Sequence, residues 1–430
     1  MAGLVGAMRR YVLPIVLLCA FGIRTALILV TKSYENPSTW EFGRIASYLA
    51  DGKGYALWRW DGSKYTQAYS PDATPLPSAY MPPLYPLLLA GCYRLLGEPD
   101  ATYLLLQGVQ ASLGAMTCWL VYLLARRLWD AKVGLWAAWA CALYPPLVYM
   151  ASTMHPINFY VPAYLVVVYL AVALLHADHW WIWLAFSACS ATLIMFRAEA
   201  LLYVLAFYIW IGWRRSKIYI TSSHLISSLL LLVLLMLPWA WRNLRALGHW
   251  VPTTTTLGYN LWRGNNPEAT GTGRSLAGVD EPTPQDIEAE INAIPLERDF
   301  ELQMDKVFMQ RALHFIRTRP LSAIALALRK QVYFWVSDLT HPLARTPYYL
   351  IPTAALALFA FAGLVSRKPQ SGDCQLLYLA IFLPAGTASV FFVLPRYRMF
   401  IDPLLMIPAA NGVSRLRDWL LRSAKRRSRP

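Results

Sequence analysis

The chain is a succession of apolar runs whose length matches a bilayer, and this limits what it can fold into more than any other feature. A hydrocarbon core of roughly 30 Å demands about twenty apolar residues of a spanning helix. About ten such runs are legible, at 11–31, 101–125, 133–150, 156–175, 180–196, 199–213, 222–241, 348–365, 375–394 and 399–414. Of the 430 residues, 57% are hydrophobic and only 15% charged, and the mean hydropathy is +0.38. An ordinary soluble domain does not have that composition. The expected fold class is therefore all-α, a polytopic integral membrane protein of about ten transmembrane helices, because a helix satisfies its own backbone in lipid.

Basic residues orient the spans, since short cytoplasmic loops collect Lys and Arg. Arg9, Arg10, Arg126, Arg127, Lys132, Arg214, Arg215, Lys217, Arg367, Lys368 and the tail 415–429 fall on one side when the spans are counted through. Both termini are expected in the cytoplasm. The net charge of +15 then reads as a topology signal plus attraction to anionic headgroups, about 1 kcal/mol per basic residue near the surface, with no nucleic-acid role. The first run keeps Arg24 and lacks a small-residue cleavage site, so it reads as an uncleaved span. The six cysteines have neither metal-ligand spacing nor a disulfide framework. The cytoplasmic connections leave no room for a nucleotide-binding domain.

The organisation expected is a single membrane domain over 1–430, with a first outer loop at 32–100, a large outer loop at 242–345 and a basic cytoplasmic tail at 415–430. The turns 152–156, 197–199 and 395–398 reach the same outer face. The first loop opens with carboxylates and runs through WEFGRIASYLADGKGY, where Trp40, Ile45, Ala46 and Leu49 recur at helical spacing. A second helix, 83–95, is opened by Pro82 and Pro83. Both suit helices lying in the interface. The large loop alternates aromatics with Gly and Asn, passes an acidic stretch at 280–290, and predicts a helix at 297–318 lined by Phe300, Met304, Val307, Phe308 and Phe315. A further amphipathic helix is expected at 320–337, carrying Arg329 and Lys330. No internal repeat is present.

In order, WEFGRIASYLADGKGY, AYMPPLYPLLLAG, YPPLVYMAS, FRAEALL, PWAWRN with GYNLWRGNNPEATG, and PRYRMFIDP resemble the polyprenyl-phosphate-sugar-dependent glycosyltransferases of the GT-C superfamily. The similarity is to the bacterial branch related to protein O-mannosyltransferases and lipid A aminoarabinose transferases, and it runs over roughly residues 8 to 415. It implies a GT-C-like membrane domain with interfacial helices on the outer face. The implied reaction moves a sugar from a polyprenyl-phosphate donor to a lipid, glycan or protein acceptor. The implied place is the outer, periplasmic face of the bacterial cytoplasmic (inner) membrane. Polyprenyl-phosphate-linked sugar and membrane lipids are the expected partners.

The sequence departs from the family at two places. Relatives commonly carry Asp or Asp-Glu before the first interfacial helix; here the acids are Glu35 and Glu41, and the catalytic base stays open between them, with a solvated helix-start carboxylate as the plainer reading. Relatives often carry an acid after the third span, where this chain has His155. For the leaving lipid phosphate the candidates are Arg396, Arg398, Arg197 and Lys330, because guanidinium forks match phosphate oxygens; the alternative is interfacial snorkelling for Arg396 and Arg398 and a solvated helix face for Lys330, while Arg197, interrupting an apolar stretch, is expected to line a cavity, paired or bound to phosphate. Arg24, near the end of a span, is expected only to snorkel. Sugar or acceptor contacts fall to Asn260, Arg263, Asn265, Asn266, Tyr85 and His155, since amides pair with hydroxyls and aromatic faces with pyranose rings; Asn and Gly also simply make turns. No His/Cys/carboxylate cluster argues for zinc and no cofactor is required, while a divalent cation held by Glu35, Glu41 and phosphate stays open, as some relatives require one. The competing functions are a transporter or flippase of isoprenoid-linked sugars and an O-antigen-type polymerase or ligase. A transporter would show repeats and helices broken at the midplane.

Overall fold

The structure is a computed structural model and describes residues 2–97, 99–218, 221–275, 282–295, 297–365 and 372–427. Asp280 and Glu281 of the acidic stretch, and Arg367, Lys368 and Arg429 of the orienting charges, lie outside the described residues.

The chain begins with α1 (Ala2–Thr31) and α2 (Trp40–Ala50). A two-residue antiparallel hairpin follows, β1 (Arg59–Trp60) and β2 (Tyr65–Thr66), with Arg59 opposite Thr66 and Trp60 opposite Tyr65. Next come α3 (Leu84–Leu96), α4 (Pro99–Leu128), α5 (Ala131–Leu143), α6 (Pro145–Met150), α7 (Ile157–Leu174), α8 (Trp180–Phe196), α9 (Ala200–Ile218) and α10 (Ser222–Leu247). The large loop holds α11 (Leu257–Gly264), α12 (Gln285–Asn292), α13 (Phe300–Thr318) and α14 (Pro320–Trp335). The chain closes with α15 (Pro347–Val365), α16 (Gly372–Val390) and α17 (Asp402–Arg427).

Among the described residues, six helices, α1, α4, α7, α10, α15 and α16, are long and apolar enough to cross a membrane. Helices α5, α8 and the first part of α9 are shorter apolar helices. The run expected at 133–150 is divided. Pro145 holds Tyr144 in an extended conformation, ψ 111°, so α5 stops at Leu143 and α6 starts afresh. At its other end α5 is opened by Asp130, whose carboxylate accepts from Val133 N at 2.8 Å as an N-cap does.

The main core joins α4, α5, α7, α8, α9, α16 and α17. Tyr164 donates to Ala380 O at 2.7 Å and so ties α7 to α16. Helices α15 and α17 approach through small residues: a Cβ on Gly363 would lie 1.9 Å from Pro408 O, and one on Gly412 3.1 Å from Phe359 O. In lipid such close backbone contact replaces the hydrophobic drive between helices.

Arg24 does not snorkel. It is 1% exposed, and its guanidinium donates to Ala20 O at 2.9 Å, Ala142 O at 3.3 Å and Cys141 O at 3.3 Å. It thus caps the carbonyls at the end of α5, where a cation meets the negative pole of the helix. Gly114 makes the room, since a Cβ there would sit 2.3 Å from Arg24 Nε.

A second core forms a cap in which Ile45, Tyr55, Tyr80, Leu261, Trp262, Phe300 and Phe308 meet. All five apolar residues expected to line α13 are buried. Glu301, also buried, accepts from Ala79 N and Thr255 Oγ1, both at 2.8 Å, and so pins the segment 32–100 to the segment 242–345. Burial pushes its carboxyl above the usual range against the pull of these donors.

Helix α14 inverts the amphipathicity expected of it. Lys330 is fully buried, while Leu321, Ile324, Leu328 and Val332 face outward. Gln331 donates to Ala385 O and Ser389 Oγ, which lays α14 along the spanning helix α16. Its apolar residues thus face outward and its polar residues turn inward, the arrangement that a lipid surrounding favours.

Candidate functional site

The approach to α2 is conformationally unusual. Lys32, Asn36 and Trp40 have φ of 49°, 54° and 49°, a region that costs non-glycine residues about 1–3 kcal/mol each. Thr39 then packs so tightly on Gly43 that a Cβ there would lie 1.9 Å from its hydroxyl. The result is a turn that sets Glu41, half-buried, in the first turn of α2. The residues on either side of it are held by one ring: Trp40 and Phe42 both meet His155 edge-on, each with centroids 5.6 Å apart. Phe42 also packs on Tyr85 at 5.4 Å.

His155 is buried, and its Nδ1 accepts from Ile157 N at 3.1 Å, which leaves the ring proton on Nε2. Burial first, and then the charges of Arg396 and Arg197, hold this imidazole well below its ordinary pKa. It is therefore a neutral support beneath the N-terminus of α2.

Three guanidiniums lie near one another, and one of them, Arg396, is within electrostatic reach of Glu41. The Glu41 carboxylate interacts electrostatically with Arg396, and Arg396 in turn with Arg197 and Arg263. Arg197 sits between α8 and α9, where the chain turns, and its Nε is ion-paired with Glu199. Its Nη1 is buried without a partner. Arg396 forms no hydrogen bond or ion pair with any described residue; its guanidinium lies 5.7 Å from the Tyr397 ring. Arg197 lies 5.0 Å from the same ring, so both cations contact Tyr397. Arg263 stacks on Phe392 at 4.7 Å and Tyr259 at 5.7 Å and donates to Gly273 O at 2.9 Å. Tyr80 closes the ring of groups: burial raises its phenol pKa, reinforced by Tyr259 and Glu41.

The other residues singled out in the sequence go elsewhere. Glu35 is half-exposed and ion-paired with Lys32 at 3.3 Å. Arg398 is spent on structure: it donates to Asp402 at 2.7 Å, to Thr353 O at 3.0 Å and to Trp335 O. Lys330 is likewise committed, to Asn265 Oδ1 at 3.1 Å and the carbonyls of Ser389 and Val390. Asn265 donates to Leu261 O and Val390 O, and Asn266 to Trp262 O; these two amides build the turn after α11. Asn260 is half-buried on α11. Tyr85 is fully buried, and its hydroxyl has no partner, so it supports the rim from beneath. Tyr397, Phe392 and the orientation of Trp40 were not singled out.

Among the described residues no three His, Cys, Asp or Glu side chains converge, and Glu35, one of the two carboxylates considered for a divalent cation, is ion-paired with Lys32.

Comparison with known proteins agrees with this architecture. Residues 80–241 match the model of the dolichyl-phosphate-mannose-protein mannosyltransferase family. The apo oligosaccharyltransferase of Archaeoglobus fulgidus superposes with a TM-score of 0.55 at 12% identity over 96% of this chain and 52% of that one. The oligosaccharyltransferase AglB from the same organism, in complex with an inhibitory peptide and a dolichol-phosphate, gives 0.51 at 14% identity over 98% and 52%. ArnT of Cupriavidus metallidurans, bound to undecaprenyl phosphate, gives only 0.37 at 13% identity over 96% and 79%, too weak to carry an argument. The chain spans about half the length of the archaeal enzymes it matches. A search of curated protein sequences finds no significant match. The chain has the all-α, multi-pass fold of these oligosaccharyltransferases, the GT-C-like membrane fold.

Proposed function

We propose that the protein is a membrane glycosyltransferase that moves a sugar from a polyprenyl-phosphate donor to a hydroxyl acceptor at the outer face of the cytoplasmic membrane of a bacterium, with both termini in the cytoplasm. The observation that carries this reading is the cluster of Arg396, Arg197 and Arg263, of which Arg396 lies within electrostatic reach of the Glu41 carboxylate. The matched mannosyltransferase family and the dolichol-phosphate complex of a protein with the same fold support it. The sugar is a hexose or pentose, and the acceptor a lipid, glycan or protein.

In this mechanism the acceptor hydroxyl gives its proton to Glu41 as its oxygen attacks the anomeric carbon. The bond from that carbon to the phosphate oxygen breaks, and the electron pair leaves on the phosphate. Arg396 and the unpartnered Nη1 of Arg197 take up that charge. A positioned base is worth about 10²–10⁴-fold, and preorganised donors aimed at a developing anion about 2.7–4 kcal/mol each in a site shielded from water. The test uses purified protein in nanodiscs with a panel of labelled polyprenyl-phosphate sugars. Release of free polyprenyl phosphate supports the reading. Movement of intact labelled lipid between leaflets without release replaces it with transport.

A further inference from the structure

Trp40 breaks the pattern of its own helix. The buried side of α2 is formed by Phe42, Gly43, Ile45, Ala46 and Tyr48, yet Trp40, at the start of the apolar spacing in the sequence, is turned away and 41% exposed. Its backbone is in the left-handed region at φ 49°, where a bulky residue is an outlier. Among the described residues the indole's one ring contact is with His155, T-shaped at 5.6 Å and 81°. The same turn places the indole next to Glu41.

From this geometry we infer that Trp40 is the face on which the transferred sugar stacks, beside the carboxylate that takes the acceptor proton. The ligand class is a pyranose or furanose ring carried on the lipid phosphate. The apolar face of such a ring packs on an aromatic surface, as in pockets where a few polar groups fix orientation and aromatic walls supply contact. The division of labour follows from the residues: cations for the phosphate, an aromatic plane for the sugar, Glu41 for the acceptor proton. His155, neutral and buried, holds the plane from behind.

This inference rests on the proposed glycosyl transfer, and the experiment separates the two. Steady-state kinetics with a lipid-linked sugar that the wild type consumes are compared in Trp40→Phe, Trp40→Ala and Trp40→Asn, together with inhibition by polyprenyl phosphate, which carries the same lipid and phosphate but no sugar. A sugar platform raises the donor KM about tenfold in Trp40→Ala and less in Trp40→Phe, and leaves the inhibition constant of polyprenyl phosphate unchanged. Trp40→Asn, which tolerates a positive φ, retains or raises Tm while losing donor affinity. An unchanged donor KM in Trp40→Ala overturns the inference, as does an equal loss of affinity for donor and polyprenyl phosphate, which is the mark of a structural role. If the wild type consumes no lipid-linked sugar, it is the proposed function that fails.

Discussion

Arg398 donates to Asp402 at 2.7 Å, with both side chains about nineteen-twentieths buried or more, and this bond decides which arginine of the PRYR turn is left for a ligand. The pair lies one helical turn apart at the start of α17, and Tyr144 adds a hydrogen bond to the same carboxylate at 3.1 Å. Arg396, two residues earlier, lies 5.7 Å from the Tyr397 ring and within electrostatic reach of Glu41.

The two arginines therefore separate function from stability. Arg398→Ala is expected to cost about 3–5 kcal/mol, because it strands a buried charge, and to lower Tm sharply in detergent. Arg396→Ala is expected to leave Tm nearly unchanged and to reduce donor turnover by about 10²-fold. Equal thermal losses in the two variants would contradict this division.

Acid should loosen the cap through His155. An ordinary imidazole titrates near 6.5, and burial with Arg396 and Arg197 nearby holds this one well below that value. The unfolded chain then binds the proton first, so stability is full above the ordinary value and is lost as pH falls below it. The Tm of the wild type is expected to drop between about pH 7 and about pH 5 more steeply than that of His155→Asn, whose amide still accepts from Ile157 N. Parallel curves would refute the assignment.

Helix α11 reaches the site only because two glycines allow close contact. A Cβ on Gly258 would lie 2.1 Å from Asp305 O, and one on Gly264 2.7 Å from the Phe391 carbonyl carbon. Both neighbours are backbone, which cannot swing aside. Gly258→Ala and Gly264→Ala are each expected to cost about 1–3 kcal/mol, read as a lower Tm, with turnover reduced through displaced Arg263. Unaltered Tm in either variant would show that α11 is free to shift.

Much of the architecture was legible because a bilayer forces it: apolar runs of spanning length can do little else. What the runs did not disclose was interruption, as at Tyr144–Pro145, or a buried use for a polar residue, as with Arg24 and Lys330. Hydropathy records that a charge sits among apolar residues but not which carbonyls lie opposite it. The charges of the site were visible one by one, in WEFGRIA, FRAEALL and PRYR, since each interrupts a stretch where its cost demands a partner. Which of them meet was not visible. Glu35 and Glu41 look alike in sequence, but Glu35 is ion-paired with Lys32 while Glu41, beyond the left-handed turn at Trp40, lies within electrostatic reach of Arg396. Asn265 and Asn266 read as sugar contacts in a site-facing turn, with plain turn formation as the alternative, and the structure has both amides donating to backbone carbonyls.

The most direct test of the account is the rate of polyprenyl phosphate release from a lipid-linked sugar in nanodiscs, compared among wild type, Glu41→Gln and Glu35→Gln. The account predicts that Glu41→Gln loses about 10²–10⁴-fold while Glu35→Gln, which gives up only an exposed ion pair with Lys32, stays near the wild-type rate. Full activity in Glu41→Gln would contradict it.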